Sequence, residues 1–320
     1  MGTSKIIVFQ VGVLTHNNAD TIGDALESLI CQKYKHWSAT IYDDGSNDKT
    51  AEVISHFLAD DRISYVKHQT NIGQARNWAA FLRNSTAPYL AVLHADDMWE
   101  RDFLCRAAKY INEHRDVDIV YRNWRRCING NIENAPALKG EQYCRTGEQE
   151  LSYQLERFTM LPSSVVLSSN LVRRIDPPNP NYKMIVDGEY LIRAVAAARN
   201  ICFDPTPGVI YRVHGESVTS RYTKNGRFDD ERLKLFNDVR QWLLLKPKGE
   251  ELVEKLGKQM AVGLIGSAKS NARLFRFSYA IRRLSDADRL VNGKLPVMNR
   301  VLRALFAMVL PIEYIVNKWK

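Results

Sequence analysis

The feature that most restricts how this chain can fold is a pattern repeated through its first 121 residues. A short apolar run is followed by a polar loop, and then by apolar residues at helical spacing. Residues 6–14 (I-I-V-F-Q-V-G-V-L) are continuous and rich in β-branched side chains, as expected of a strand covered on both faces, and T-H-N-N-A-D follows them. Ile22, Ala25, Leu26, Leu29 and Ile30 then mark one face of a helix. The unit returns as W-S-A-T-I-Y (37–42), the loop D-D-G-S-N-D and Val53, Ile54, Phe57 and Leu58. It returns again as I-S-Y-V-K (63–67), H-Q-T-N-I-G and Ala75, Trp78, Ala79 and Leu82. Y-L-A-V-L (89–93) and V-D-I-V-Y (117–121) add a fourth and a fifth strand. Strands alternating with helices predict an α/β fold, a mostly parallel sheet flanked by helices. In such sheets ligands bind beyond the carboxyl ends of the strands. Those ends carry Thr15, Asn17, Asp43, Asp44, Asp96 and Asp97, brought together from three loops.

Past residue 122 the alternation fails. Residues 122–150 read as irregular and polar, and D-P-P-N-P-N-Y (176–182) suits neither a helix nor a central strand. Asp187 opens an Ala-rich helix ending near Arg199, V-I-Y-R-V-H (209–214) reads as one more strand, and the chain is helical from 229 with breaks at 246–249 and Pro296. The expected division is a catalytic or binding domain over 1–217 and a basic, mainly helical region over 218–320.

Charge supports that division. The net charge is +9, yet residues 1–215 hold 24 Lys and Arg against 25 Asp and Glu, whereas 216–320 hold 21 against 11. A near-neutral body with a basic appendage points to an anionic surface as a partner of the appendage. Five cysteines, odd in number and without any C-x-x-C, argue against a disulfide framework or a zinc site and fit a reducing cytoplasm. No secretory leader and no apolar run of 18 residues is legible, so a spanning helix is not expected.

Adjacent carboxylates at a strand end have two readings. Asp96 and Asp97 can cap the following helix, or they can hold a divalent cation that neutralises the diphosphate of a nucleotide ligand. At an effective dielectric of 20, two unit charges about 4 Å apart interact by roughly 4 kcal/mol, so a dication there is a large lever. In D-D-G-S-N-D-K-T (43–50) a turn and a cap account for Gly45, Ser46 and Asp48. They do not account for Asp43 and Asp44, either of which could accept hydrogen bonds from a base or a ribose.

Taken together these segments resemble glycosyltransferase family 2, the inverting nucleotide-sugar enzymes with a GT-A fold. The similarity rests on V-G-V-L-T-H-N-N (11–18), I-Y-D-D-G-S-N-D-K-T (41–50), N-I-G-Q-A-R-N (71–77), H-A-D-D-M-W (94–99), D-G-E-Y-L-I-R-A (187–194) and Y-R-V-H-G-E-S (211–217), in the family's order. The resemblance implies a Rossmann-like GT-A domain with a C-terminal helical extension. It implies that Thr15, Asn17 and Asp44, with Asp43 behind it, line the donor nucleotide pocket, and that Asn71 and Gly73 shape its wall. It further implies that Asp97 holds a divalent cation, Mn2+ or Mg2+, with Asp96 near the ribose or sugar. Asp187 falls at the position of the catalytic base. His214 is a further metal contact, a contact to a phosphate oxygen or a structural histidine, and Arg212 either pairs with a core carboxylate or touches substrate. Two departures stand out. His94 replaces a frequent third Asp, which affects the usual sugar contact, and Val186 stands where Glu often precedes the base.

The partners so implied are a nucleoside-diphosphate sugar and a saccharide or lipid-linked saccharide acceptor, with no nucleic acid. Residues 297–310 (V-M-N-R-V-L-R-A-L-F-A-M-V-L) would form a helix about 21 Å long, too short for a hydrocarbon core of about 30 Å. Arg300, Arg303, Lys318, Trp319 and Lys320 stud or follow it, so 297–320 is expected either to lie on the cytoplasmic face of an anionic membrane or to pack as a buried helix or dimer contact. A nucleotidyltransferase wants a Gly- and Arg-rich loop after the first strand, and a dinucleotide oxidoreductase wants G-x-G-x-x-G; neither is present. A nucleotide-binding module without catalysis would need Asp187 to be inert.

Overall fold

β1 (Phe9–Thr15) lies inside the sheet and six of its seven residues are buried, in keeping with its mainly apolar sequence. The computed structural model describes residues 5–134, 140–213, 227–272, 276–294, 299 and 302–304. Two compact units are resolved, Met1–Leu151 with Phe158–Gly215, and Ser152–Arg157 with Glu216–Lys320.

In the first unit β1 pairs in parallel with β2 (Trp37–Asp43) and β4 (Tyr89–His94), and β2 pairs in parallel with β3 (Ile63–Lys67). The helices between them are α1 (Ile22–Ile30), α2 (Thr50–Ser55) and α3 (Gln74–Asn84). Ile22, Ala25, Leu26 and Leu29 of α1 are fully buried against Val11, Val13 and Ile41, the apolar stripe the sequence shows. After β5 (Met98–Trp99) and α4 (Phe103–Glu113), the sheet becomes mixed. Its order is β3-β2-β1-β4-β9-β6-β10-β5, where β9 (Val165–Ser168) runs antiparallel between β4 and β6 (Val117–Ile128), and β10 (Asn200–Val213) runs parallel to β6.

Two sequence expectations are corrected here. Residues 122–150 are not irregular throughout: β6 continues to Ile128, β7 (Asn131–Asn134) folds back on it, and β8 (Tyr143–Thr146) pairs with β10. β7 and β8 are polar because each pairs on one side only. All four residues of β7 are exposed, so no apolar alternation is needed to hold them. The second correction concerns sulfur. Cys144 and Cys202 face each other directly across β8 and β10 and are disulfide-bonded, a pairing 58 residues apart that spacing cannot reveal. Cys31, Cys105 and Cys127 are free.

The remaining helices of the first unit are α5 (Gly147–Glu156), whose last residues belong to the second unit, the single turn α6 (Ser169–Val172) and α7 (Val186–Ala197). In the second unit α8 (Arg227–Leu244), α9 (Gly249–Ala272) and α10 (Phe277–Leu290) bury Ala261, Leu264 and Ala287 in one cluster and Ala268, Ala280 and Leu284 in another. The break between α8 and α9 falls at Lys246-Pro247, where proline cannot continue a helix. His214 and nearly all of 297–320 lie outside the described residues. Among the described residues no helix is long and apolar enough to cross a membrane.

Candidate active site

Register places the polar residues at one level. Thr15 lies opposite Asp43 and Leu14 opposite His94, so β2, β1 and β4 end side by side. The strand ends are stitched beyond the sheet. The Asp44 N–H donates to Thr15 O at 2.9 Å and the Ala95 N–H to Leu14 O at 3.1 Å.

The loops after β1 and β2 form a web of turns. Asn17 adopts a left-handed φ of 55°, its N–H donates to Ser46 Oγ at 2.8 Å, and its Oδ1 accepts the Asn47 N–H at 2.9 Å. Thr15 is buried and its hydroxyl donates to Asn18 Oδ1 at 3.2 Å. Asp44 accepts the N–H of Ile72 at 2.6 Å on one oxygen and that of Gly73 at 2.9 Å on the other. It thereby fixes the loop that carries exposed Asn71 and leads into α3. Gly73, with a φ of 90°, makes the turn a side chain would oppose. Asp43 is fully buried. Its oxygens accept the Ser46 N–H at 2.8 Å and the Tyr65 hydroxyl at 2.7 Å, and burial with this carboxylate pushes the Tyr65 phenol upward. Asp43 therefore supports the loop from behind and offers no surface to a ligand.

The paired carboxylates sit in a tight turn in which the Asp97 N–H donates to His94 O at 3.0 Å. Asp97 is buried and Asp96 partly so. The Ser163 hydroxyl donates to Asp97 Oδ2 at 2.6 Å, and the Arg212 backbone N–H reaches Oδ1 at 3.3 Å. Burial pushes the Asp97 carboxyl well above the usual range, and the negative Asp96 beside it adds to the effect. A buried carboxylate beside a second, partly buried one is an arrangement that a cation would stabilise. The Arg212 charge opposes the rise at Asp97 in part, while its guanidinium donates to Asp24 Oδ2 at 2.6 Å and to Asp96 O at 3.2 Å, tying β10 to α1 and to the acidic turn. The donor set, hard carboxylate oxygens, suits Mn2+ or Mg2+.

Asp187 is the second residue of α7 and partly buried. Burial raises its carboxyl above the ordinary range, while the Gly188 N–H and the His94 ring act in the opposite direction. Among the described residues, His94 Nε2 is itself buried without a hydrogen-bond partner. The start of α7 thus stands within electrostatic reach of the end of β4, two residues before Asp96. Arg193, further along α7, does not enter this cluster; it pairs with Glu189 at 2.7 Å.

Sequence reasoning missed Ser163 and Asp24. Ser163 belongs to a single 3-10 turn, Pro162–Ser164, just before β9, and one turn carries no periodicity from which a buried serine could be read. Asp24 reads as a solvated residue on the polar face of α1.

Residues 10–171 match the sequence model of the family described as Glycosyl transferase family 2. Among curated proteins the chain is 28% identical over 164 residues to an uncharacterized glycosyltransferase of Methanocaldococcus jannaschii, covering 50% of this chain and 56% of that one. It is 25% identical over 190 residues to a PGL/p-HBAD biosynthesis glycosyltransferase of Mycobacterium tuberculosis, covering 58% and 69%. The matches span 56%, 38% and 42% of the first three relatives' lengths, so each covers less than two thirds of the protein compared. Among solved structures, S. aureus TarS 1-349 in complex with UDP-GlcNAc superposes with a TM-score of 0.67 at 18% identity, over 97% of this chain and 89% of that one. The mannosyltransferase PcManGT of Pyrobaculum calidifontis, in complex with GDP-Man and Mn2+, gives 0.59 at 15%, over 97% and 87%. These likenesses show a GT-A fold.

Proposed function

The chain belongs to glycosyl transferase family 2, and from that premise we propose that it moves a hexosyl or related sugar from a nucleoside-diphosphate donor to an acceptor hydroxyl, with inversion, in cell-surface polysaccharide or glycolipid assembly. The observation that carries this reading is the placement of two kinds of carboxyl at one end of the sheet. Asp97 and Asp96 form an acidic turn closed on His94 O, and Asp187, on α7, feels the charge of the His94 ring. The nucleotide-sugar complexes of TarS and PcManGT support the donor class.

Thr15, Asn17, Asp44, Asn71 and Gly73 form the donor wall in this proposal, with Asp96 toward the ribose or sugar. Asp97 would hold a divalent cation, with His214 as a further contact; when bound, that cation neutralises charge on the departing diphosphate. Ser163 and the Arg212 N–H hold Asp97 in one orientation, so its lone pairs are aimed before any ligand arrives. Asp187 accepts the proton of the acceptor hydroxyl as its oxygen attacks the anomeric carbon on the face opposite the leaving group. A carboxyl held above its ordinary range by burial is a stronger base once ionised, which suits it to that transfer. Residues 297–320 would bring the site to a lipid-linked acceptor on an anionic membrane surface, in keeping with their basic and aromatic composition.

Incubation with a panel of UDP- and GDP-sugars and Mn2+, read as release of nucleoside diphosphate, tests the reading. Turnover of one donor that disappears in Asp187→Asn supports it. Unchanged turnover in that variant removes Asp187 from its role.

A further inference from the structure

At the other end of β10 from Arg212, three side chains from separate elements converge. His114 follows α4, Cys144 lies on β8 and Cys202 on β10, and a ring nitrogen and the two sulfurs all lie within 4.8 Å of one another. We infer that, with its cysteines reduced, this cluster is a Cys2His site for a thiophilic divalent cation, zinc foremost.

A cross-strand disulfide by itself needs no histidine. Here an imidazole is held against the pair. His114 ends α4 in an extended conformation, with its N–H donating to Tyr110 O at 3.1 Å and its ring lying nearly parallel to that of Tyr110, centroids 6.2 Å apart. Two thiolates and one imidazole are a borderline-soft donor set that favours zinc over the hard ions suited to Asp97. Around a tetrahedral zinc, ligand atoms at about 2.0–2.3 Å from the ion stand roughly 3.3–3.8 Å from each other. Once the sulfur–sulfur bond is broken, side-chain rotation parts the two sulfurs and brings the ring nitrogen to that spacing. Cys202 is buried, Cys144 partly so and His114 exposed, so the site opens on the histidine side, where water can take the fourth position.

The disulfide and the metal site are alternative states of the same atoms. A thiol or phosphine reductant supplies two electrons, the sulfur–sulfur bond breaks, and two protons complete two thiols. Zinc then displaces those two protons and takes the lone pair of neutral His114. Oxidation of the thiolates to the disulfide returns two electrons to the oxidant and expels the ion. In either state the edge formed by β8 and β10 is cross-linked, and in the metal state the end of α4 is tied to it as well.

The test uses the full chain, reduced with a phosphine and desalted without oxygen, then titrated with Co2+. One equivalent should produce a thiolate-to-cobalt charge-transfer absorption, which carboxylate ligands do not give, so the signal should persist in Asp97→Asn. Zinc should displace the cobalt, and the disulfide form should give no band. Cys144→Ser should lose the band, and His114→Ala, an exposed substitution that leaves the fold alone, should weaken zinc affinity at least tenfold in competition with a chromogenic chelator. Absence of the band in reduced wild type, or an undiminished band and affinity in both variants because Cys31 or Cys105 supplied the thiolates, overturns the inference.

Discussion

The Ser163 hydroxyl donates to Asp97 Oδ2 at 2.6 Å while accepting the backbone N–H of His94 at 3.1 Å, so one buried oxygen ties the end of β4 to the carboxylate three residues on. Ser163→Ala removes a hydrogen bond to a charged group and leaves the part-buried His94 N–H without this acceptor, a loss of about 1.5–3 kcal/mol where the carboxylate must be ionised. Donor binding in the presence of Mn2+, measured by calorimetry, should weaken on the order of tenfold or more, with far-UV circular dichroism unchanged. Wild-type affinity would show that Asp97 keeps its orientation without Ser163.

Asp187→Asn should leave donor binding intact and lower transfer by roughly 10²- to 10⁴-fold, the span of general base catalysis. A base acts when deprotonated, and burial raises the Asp187 carboxyl. Activity should therefore fall on acidification at a higher pH than an ordinary carboxylate would dictate. Because His94 works against that rise, His94→Ala should move the acid limb of kcat/KM further toward neutral pH. A pH–rate profile that does not shift in His94→Ala contradicts the link.

The loop at Asp44 and Gly45 should be intolerant of change. Asp44→Ala frees the N–H groups of Ile72 and Gly73, and Gly45→Ala places a Cβ 2.7 Å from Thr70 C and 2.8 Å from Asn71 N at a φ of 69°. Backbone must move in the second case, at a cost of about 1–3 kcal/mol. Thermal unfolding should drop by about 2–4 °C for each kcal/mol, and nucleotide affinity should fall in both variants. Gly45→Ala with wild-type melting would mean the turn relaxes freely.

Asp118 offers a test of stability apart from the site. Burial alone would raise its carboxyl, but Arg199, the Ser168 hydroxyl at 2.6 Å and Arg174 at 2.7 Å outweigh it and hold it at about 2. A depressed carboxyl stabilises the fold above its unfolded value near 4, and that contribution is lost as pH falls toward 2. With Arg174 and Arg199 half exposed to solvent, the contribution is on the order of 1–2 kcal/mol. Urea midpoints for Asp118→Asn should be lower at pH 7 and flatter between pH 4 and 2 than those of wild type; parallel curves would deny the ion pairs this role.

How much of this was legible in the sequence depends on the range over which each feature is determined. The parallel strands β2, β1 and β4 and the helices packed on them follow from local periodicity, because a strand buried on both faces and an amphipathic helix each write their surroundings into consecutive residues. The acidic turn at 96–97 was equally visible, since strand ends in such a sheet are where polar residues surface. The edge strands β7 and β8 were not, because exposed strands need no apolar pattern. How Asp43 and Asp44 are used was also undetermined: neighbours in sequence and both buried, they differ in which backbone and side-chain donors the fold supplies. The Ser163–Asp97 bond spans 66 residues, the Cys144–Cys202 pair 58, and the Arg212–Asp24 pair 188. Short-range pattern determined the scaffold and the level at which chemistry can occur. Tertiary structure alone decided which groups meet there, because a hydrogen bond or an ion pair is set by distance in space, and the chain records only distance along itself.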